Sequence, residues 1–292
     1  MTHDVLRGDE PVLLPGVWDA LSVTLAAQAG FGAVFVSGYA VSATLLGRAD
    51  RGYLTQTEMA EVARRVCHAA PEHLAVVVDA DTGYGNALNT IRTVELWGQA
   101  GAAGVFLEDQ VWPKRCGHMA GKEVVARADW LVKLRAAVEH GGGLHVTART
   151  DARAVHGLQE ALERGRMARD LGVDAVFVEA PQSVAELEAI ATALPDVPLV
   201  ANMVETGRTP LLTLAELADL GFRLVLSPLS LLYSATAAMQ WAAERLNAEG
   251  SLRAHLDRLV RFDDFGMLVG AERDDELEAQ YPVEQAGDGT RR

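Results

Sequence analysis

Eight short apolar runs, mostly β-branched, recur along the chain at residues 12–14, 33–36, 75–78, 104–107, 144–147, 175–178, 198–201 and 223–226. Apart from Leu144-His145-Val146-Thr147 the runs lack polar alternation, and none is long enough for a helix. Strands read this way when both faces are buried, as in a parallel sheet. Parallel strands need crossovers, and the segments between the runs carry helix signals. Thr55-x-x-Glu58, Ser183-x-x-Glu186 and Thr213-x-x-Glu216 are capping boxes, and Met59, Val62, Ala63, Val66 and Cys67 form one apolar helical stripe. Cys67 is therefore expected in the core. Eight strand–helix units in series predict a (β/α)8 TIM barrel. No G-x-G-x-x-G follows the first run, so a doubly wound open sheet has little support.

At 292 residues, with no Gly/Ser/Pro-rich linker, the chain suits one barrel domain. The barrel is expected at about 10–230, further helices at about 231–268 and a peripheral acidic tail at 270–292. Ala235, Ala238, Met239, Ala242 and Leu246 form an apolar stripe, and Leu252, Leu256, Leu259 and Val260 begin another. A barrel needs one helix after its eighth strand, so the second stripe calls for a neighbouring subunit. A net charge of −14 argues against nucleic-acid or anionic-membrane partners. It leaves room for a small carboxylate held by a few local cations. Two cysteines, no signal-like N-terminus and no apolar run near ~18 residues lead to the expectation of a cytoplasmic protein.

Polar residues collect where the apolar runs end: Ser37-Gly38-Tyr39, Asp79 and Asp81, Glu108, Arg149 and Asp151, Glu179, Asn202 and Ser227. In a barrel those ends converge on the face that holds active sites. Asp79 and Asp81, with Asp50 and Glu108 as further partners, make a hard-oxygen set suited to Mg²⁺, with Mn²⁺ as the alternative. The loop lacks the EF-hand glycine and glutamate, and without a His/Cys cluster zinc is disfavoured. Asp79 and Asp81 have a plainer reading as helix caps or partners of Arg149. Arg149 is the natural fork for a substrate carboxylate, or an ion-pair partner of Glu179 or Asp81. Asn202 offers a neutral donor, and Trp18 either walls the pocket or packs beneath it. After the fourth run comes Glu108-Asp109-Gln110-Val111-Trp112-Pro113-Lys114-Arg115-Cys116-Gly117-His118. A thiol between Arg115 and His118 is expected to exchange protons near neutrality. Gly83, Gly85, Gly117 and Gly121 are the glycines a mobile gate would use.

The motifs SGYAVSATLLGRAD, VVVDADTGYGN, GVFLEDQVWPKRCGHMAGK, ARTDAR, VFVEAP and NMVETGRTP make the chain resemble the isocitrate lyase/phosphoenolpyruvate mutase superfamily from Val12 to about residue 265. The likeness is strongest to the subgroup holding the petal death protein, 2,3-dimethylmalate lyase and methylisocitrate lyase. The resemblance implies a Mg²⁺-dependent barrel whose last helix is swapped between subunits of a dimer-of-dimers homotetramer. It implies that Asp79 binds the metal directly, with Asp50, Asp81 and Glu108 acting mainly through its waters. Cys116, His118, Arg149, Glu179 and Tyr39 form the expected catalytic set, with Cys116 the proton donor and Tyr39 a candidate base. Ser37, Gly38, Tyr39, Gly117, Arg149, Asn202 and Trp18 are the expected substrate contacts. Arg48-Ala49-Asp50 departs from the Leu-Pro-Asp common among relatives, so a looser loop is expected there.

The expected reaction is C–C cleavage of a 2-hydroxy di- or tricarboxylate, such as 2-methylisocitrate, 2,3-dimethylmalate or another 2-alkylmalate, or of oxaloacetate. The alternative is a phosphonomutase forming a P–C bond, because carboxyphosphonoenolpyruvate mutases share the KRCGH loop. A silent scaffold is disfavoured, because the carboxylates, Arg149 and Cys116 are all present together.

Overall fold

The structure, a computed structural model of the 292-residue chain, describes residues 4–117 and 121–281. Each apolar run is a strand, and the eight strands close into one parallel barrel in chain order, β8 pairing back onto β1. β1 (Val12–Val17) leads to α1 (Ala20–Gln28), and β2 (Ala33–Val36) to α2 (Gly38–Leu46) and α3 (Gln56–Ala69). β3 (Ala75–Asp79) is followed by α4 (Ala87–Ala100), and β4 (Gly104–Glu108) by α5 (Arg127–His140). After β5 (His145–Thr150) come α6 (Ala152–His156) and α7 (Leu158–Leu171). β6 (Ala175–Val178), α8 (Val184–Ala193), β7 (Leu199–Asn202), α9 (Leu214–Asp219), β8 (Leu224–Ser227) and α10 (Ser230–Glu249) complete the series. This is the expected (β/α)8 TIM barrel.

The missing polar alternation has a direct cause. In β2, Val34 and Val36 pack outward among the helices while Ala33 and Phe35 pack inward. Val76 and Val78 do the same against Ala75 and Val77 in β3. Burying each such side chain is worth roughly 1.5–3 kcal/mol, so neither face tolerates a polar residue. Phe35, Phe106 and Phe177 meet inside the barrel with ring centroids 5.0 and 6.0 Å apart. They form an apolar floor beneath the carboxyl ends of the strands.

The strands extend one or more residues beyond the apolar runs and take in Asp79, Glu108, Arg149, Asn202 and Ser227. Glu108 pairs in register with Arg149, and Asp79 with Phe106. These polar groups are thus carried on ladder backbone, not on free loops. The boxes at Thr55/Glu58 and Thr213/Glu216 close in both directions. At Ser183 the box closes on one side: Ser183 accepts from the Glu186 N–H, while the Glu186 carboxylate takes Gln182 N–H and Arg153 instead. Cys67 is half-buried in its stripe, and burial pushes its thiol up to about 12.

Residues through Thr236 form one compact unit, and those from Ala237 a second. Within the second, the Arg258 guanidinium lies 3.6 Å from the centre of the Trp241 ring, and His255 meets that ring edge-on. This unit also holds α11 (Phe262–Leu268) and α12 (Ala271–Gln280), so part of the acidic tail is helical. Met239, Leu246, Leu256, Val260 and Phe262 are exposed, Phe262 at 92%. Among the described residues no helix is long and apolar enough to cross a membrane.

His145 opens β5 on the face opposite the polar strand ends and is buried. Burial, aided by Arg7 and Arg223 and opposed by Asp174, pushes its pKa down to about 4 from an ordinary 6.5. Below pH 6.5 the unfolded chain binds a proton that the folded chain refuses. Stability is therefore present above about 6.5 and lost as pH falls toward about 4, by ~1–3 kcal/mol. His145→Gln should flatten the fall of Tm between pH 7 and 5. An unchanged slope would remove this assignment.

Candidate active site

The carboxylate wall is built by β2, β3 and β4. Asp79 ends β3, its Oδ1 accepts from the Asp81 N–H at 3.0 Å, and its backbone carbonyl accepts from the Trp97 indole at 3.2 Å. Asp81 itself has φ +46, a conformation costly outside glycine and common at functional sites. Ser37 caps α2, and Gly38 presents bare backbone to the acids: a Cβ there would lie 2.9 Å from Asp79 Oδ2. Asp50 reaches the wall from the loop after α2. The Ser42 hydroxyl holds that loop through the Arg48 and Ala49 carbonyls at 3.0 and 3.3 Å, so anchoring replaces the rigidity a proline would give.

Lys114, which the sequence reading passed over, neutralises part of this wall. Its Nζ lies 2.7 Å from both Asp50 and Asp81, with all three side chains buried. Burial alone would lower the lysine, but Asp50, Asp81, Asp79 and Glu108 hold it well above its usual pKa. Burial pushes Asp81 upward against the pull of Lys114, and pushes Glu108 well upward against Arg149. One lysine among four carboxylates leaves a surplus of buried negative charge.

The opposite wall centres on Arg149. Its guanidinium contacts Asp151 at 3.0 Å, Glu108 at 3.3 Å and Glu179 at 3.4 Å, and stands over the Phe177 ring at 5.3 Å. Both sequence readings of this residue therefore coexist in geometry: it is ion-paired, and it lines the cavity. Asn202 donates to Glu179 at 3.2 Å, and among the described residues its carbonyl oxygen has no hydrogen-bond partner. Ala180, directly after Glu179, has φ +56. Behind the wall, Asp109 accepts from Thr150 Oγ1 at 2.6 Å, the Asp151 N–H at 2.8 Å and Arg164 at 3.1 Å. Burial, with Asp151 adding, raises Asp109 to about 6. Burial opposes ionisation of Asp151 as well, yet Arg149 and Lys122 bring it down to about 2.

Cys116 closes the cavity from the loop after β4. Its N–H donates to the Asp50 carbonyl at 3.2 Å. Gly117 packs so tightly that a Cβ would lie 2.5 Å from Glu179 and 2.7 Å from Arg149. Lys122 Nζ, buried, donates to the Gly117 carbonyl and to Asp151 Oδ1, the latter at 2.6 Å. The Tyr39 hydroxyl pairs with that of Tyr233, which burial and Tyr39 push up to about 12. Ser37, Tyr39, Asp50, Asp79, Cys116, Gly117, Arg149, Glu179 and Asn202 thus line one cavity of about 40 Å³, completed by Phe35, Val204, Leu226, Pro228 and Leu229. Gly38, Asp81 and Glu108 stand just behind this lining.

Trp18 is not among the residues lining this cavity; like Tyr39 it packs against the cluster of Ala40, Val204, Leu229 and Leu232, and it borders a separate groove with Thr44 and Leu45. Arg115 is placed beside Gly121 in another groove, so a neighbour in sequence is not the thiol's neighbour in the lining. His118 lies outside the described residues. Lys114 and Lys122 carried one available signal: they are cations toward the two ends of a loop that faces a surplus of acids.

Among the described residues no three His, Cys, Asp or Glu side chains converge on one point, as a metal held wholly by protein would require. The donors present fit Mg²⁺ in a different way. Among the described residues Glu108 Oε1 is a buried acceptor without a hydrogen-bond partner, Asp81 is buried beside it, and Asp79 borders the cavity. Mg²⁺ takes one or two carboxylates directly and keeps several waters, which suits one carboxylate in front and acceptors behind.

A family model described as phosphoenolpyruvate phosphomutase matches residues 3–247. The chain is 45% identical to a chloroplastic carboxyvinyl-carboxyphosphonate phosphorylmutase of Arabidopsis thaliana, covering 96% of this chain and 83% of the relative. It is 41% identical to 2,3-dimethylmalate lyase of Eubacterium barkeri, covering 96% of each chain. The structure of oxaloacetate acetylhydrolase bound to 3,3-difluorooxalacetate superposes with a TM-score of 0.91 at 34% identity, over 97% of this chain and 96% of that one. Phosphonopyruvate hydrolase in complex with oxalate and Mg²⁺ superposes at 0.86 and 28% identity, over 96% and 99%. With relatives matched almost end to end and the family model running from before β1 into α10, the protein is a member of the phosphoenolpyruvate phosphomutase family, in the superfamily shared with isocitrate lyase.

Proposed function

We propose that the protein is a carbon–carbon lyase acting on a 2-hydroxy di- or tricarboxylate. The observation that carries this reading is that a carboxylate wall, a guanidinium and a thiol line a single small cavity over an apolar floor. Asp79 would hold Mg²⁺, with Asp50, Asp81 and Glu108 taking its waters. Bound there, the metal would supply positive charge for the substrate's 2-hydroxyl and adjoining carboxylate. Arg149, held in orientation by Asp151 and Glu179, binds a carboxylate and is already in place when charge develops. Asn202 and the Ser37–Gly38 segment fix the other end. A base, for which Tyr39 is the candidate, takes the hydroxyl proton. The C2–C3 bond breaks, C2 becomes the carbonyl of a 2-oxo acid, and Cys116 protonates the carboxylate-stabilised carbanion left at C3. The apolar floor and the loop over the cavity keep water from competing for that carbanion.

Val204, Leu226, Pro228 and Leu229 give the lining an apolar part that suits an alkyl substituent. This favours 2-methylisocitrate, 2,3-dimethylmalate or another 2-alkylmalate over oxaloacetate, by ~1–3 kcal/mol per methyl group. A phosphonomutase remains the second reading, motivated by the Arabidopsis relative. Among the described lining residues Arg149 is the sole cation, whereas a phosphoryl group in transfer calls for several. The thiol chemistry needs a reducing setting such as the cytoplasm.

Exhaustive chelation, or Asp79→Ala, should abolish 2-oxo acid release in a screen of 2-methylisocitrate, isocitrate, 2,3-dimethylmalate, 2-alkylmalates and oxaloacetate. Full activity without metal would refute the carboxylate assignment. Cys116→Ser should leave KM and Mg²⁺ affinity nearly unchanged while lowering kcat by ~10²–10⁴, because a hydroxyl is too weak an acid to replace the thiol. Wild-type turnover in that variant would favour the mutase reading. The exposed Met239, Leu246 and Phe262 support helices that lie across a neighbouring subunit in a homotetramer. Sedimentation at micromolar concentration should give a mass of several chains, and a single-chain mass would exclude the swap.

A further inference from the structure

Lys122 stands outside the chemistry just described, yet it joins two parts of the site that the chain separates. Its ammonium is buried and spends two of its three protons on named acceptors, the Gly117 carbonyl and Asp151 Oδ1. Asp151 is itself the partner of Arg149 Nε at 3.0 Å, and its own N–H is fixed by Asp109 at 2.8 Å. Gly117 has no slack on its other side, because even a methyl group there would overlap Glu179 and Arg149. Gly117, directly after the thiol, is therefore clamped between Arg149 and an ammonium that hangs from the same aspartate as Arg149.

We infer that Lys122 is a positioning residue: by bridging Gly117 and Asp151 it sets the distance of Cys116 from whatever carboxylate Arg149 holds. The carboxylate-binding arginine and the thiol are then referenced to one buried anion, and neither shifts without the other. A displacement of about 1 Å at a reacting centre costs about 10²-fold in rate, which is the size of effect a lost bridge should have. The inference rests on the lyase reading for its kinetic arm alone.

The test compares Lys122→Met, Lys122→Arg and the parent as full-length protein. In ligand-free protein, iodoacetamide labelling of Cys116, followed by mass spectrometry, should be at least about tenfold faster in Lys122→Met. Cys67 serves as the internal standard and should not change. On the acid that the parent turns over, kcat should fall about 10²-fold with KM little changed. Lys122→Arg keeps the charge and two donors and should recover most of both properties. In a Cys116→Ser background, Lys122→Met should add little further loss, because it acts through the position of the thiol. Equal acceleration of labelling at Cys67 and Cys116 would mean general loosening and would overturn the inference, as would unchanged labelling of Cys116 or losses that multiply with Cys116→Ser. If Lys122→Met does not fold, Lys122→Gln, which keeps one of the two hydrogen bonds, is read by the same criteria. If the parent turns over no acid in the panel, the lyase reading fails while the labelling arm still decides the role of Lys122.

Discussion

Buried charge is the constraint on which this site depends. Asp50, Asp79, Asp81, Glu108, Asp109, Asp151 and Glu179 are all buried at one end of the barrel, above an apolar floor of phenylalanines. Isolated ions in such surroundings cost several kcal/mol each, so every cation nearby is committed. Lys114 answers Asp50 and Asp81, Arg149 answers Glu108, Asp151 and Glu179, Lys122 answers Asp151, and Arg164 answers Asp109. The acids still outnumber the cations. Even with Lys114 and Arg149 beside them, burial pushes Asp81 and Glu108 toward their neutral forms.

Most of the fold was legible because it rests on local patterns. Runs made almost wholly of apolar residues pointed to strands covered on both sides, and the capping boxes marked where helices begin. The site was legible where its residues ride on strands. Asp79, Glu108, Arg149 and Asn202 sit at the ends of ladders whose register fixes their direction. It was less legible on the loops. Lys114, Arg115 and Lys122 read alike as loop cations, but two are buried counter-ions and the third borders a different groove. Sequence adjacency suggested Arg115 as the thiol's partner, and the path of the loop also sets its guanidinium against Gly121. Trp18 follows β1 as the site residues follow their own strands, yet it borders a different groove.

Local strain follows the same division. Among the described residues, the non-glycine residues with positive φ are Asp81, Tyr84, Ala180 and Thr206, all in turns that leave the carboxyl ends of β3, β6 and β7. Each such residue costs of order 1–3 kcal/mol and persists only where its surroundings over-determine it. Here the surroundings are the ion pairs themselves: Lys114 grips Asp81, and Arg149 and Asn202 grip Glu179 just before Ala180.

The bare backbone at Gly38 and Gly117 divides the cavity into halves with different evolutionary freedom. Where these two glycines touch Asp79, Glu179 and Arg149, any added side chain would force those charged groups to move. Sequence drift on the charged half is therefore blocked by contact distance before it is blocked by chemistry. Val204, Leu226 and Leu229, by contrast, meet the cavity through side chains whose volume can change without disturbing an ion pair. Selection on such a scaffold would keep one bond-breaking apparatus intact and fit new acids by reshaping a single apolar wall.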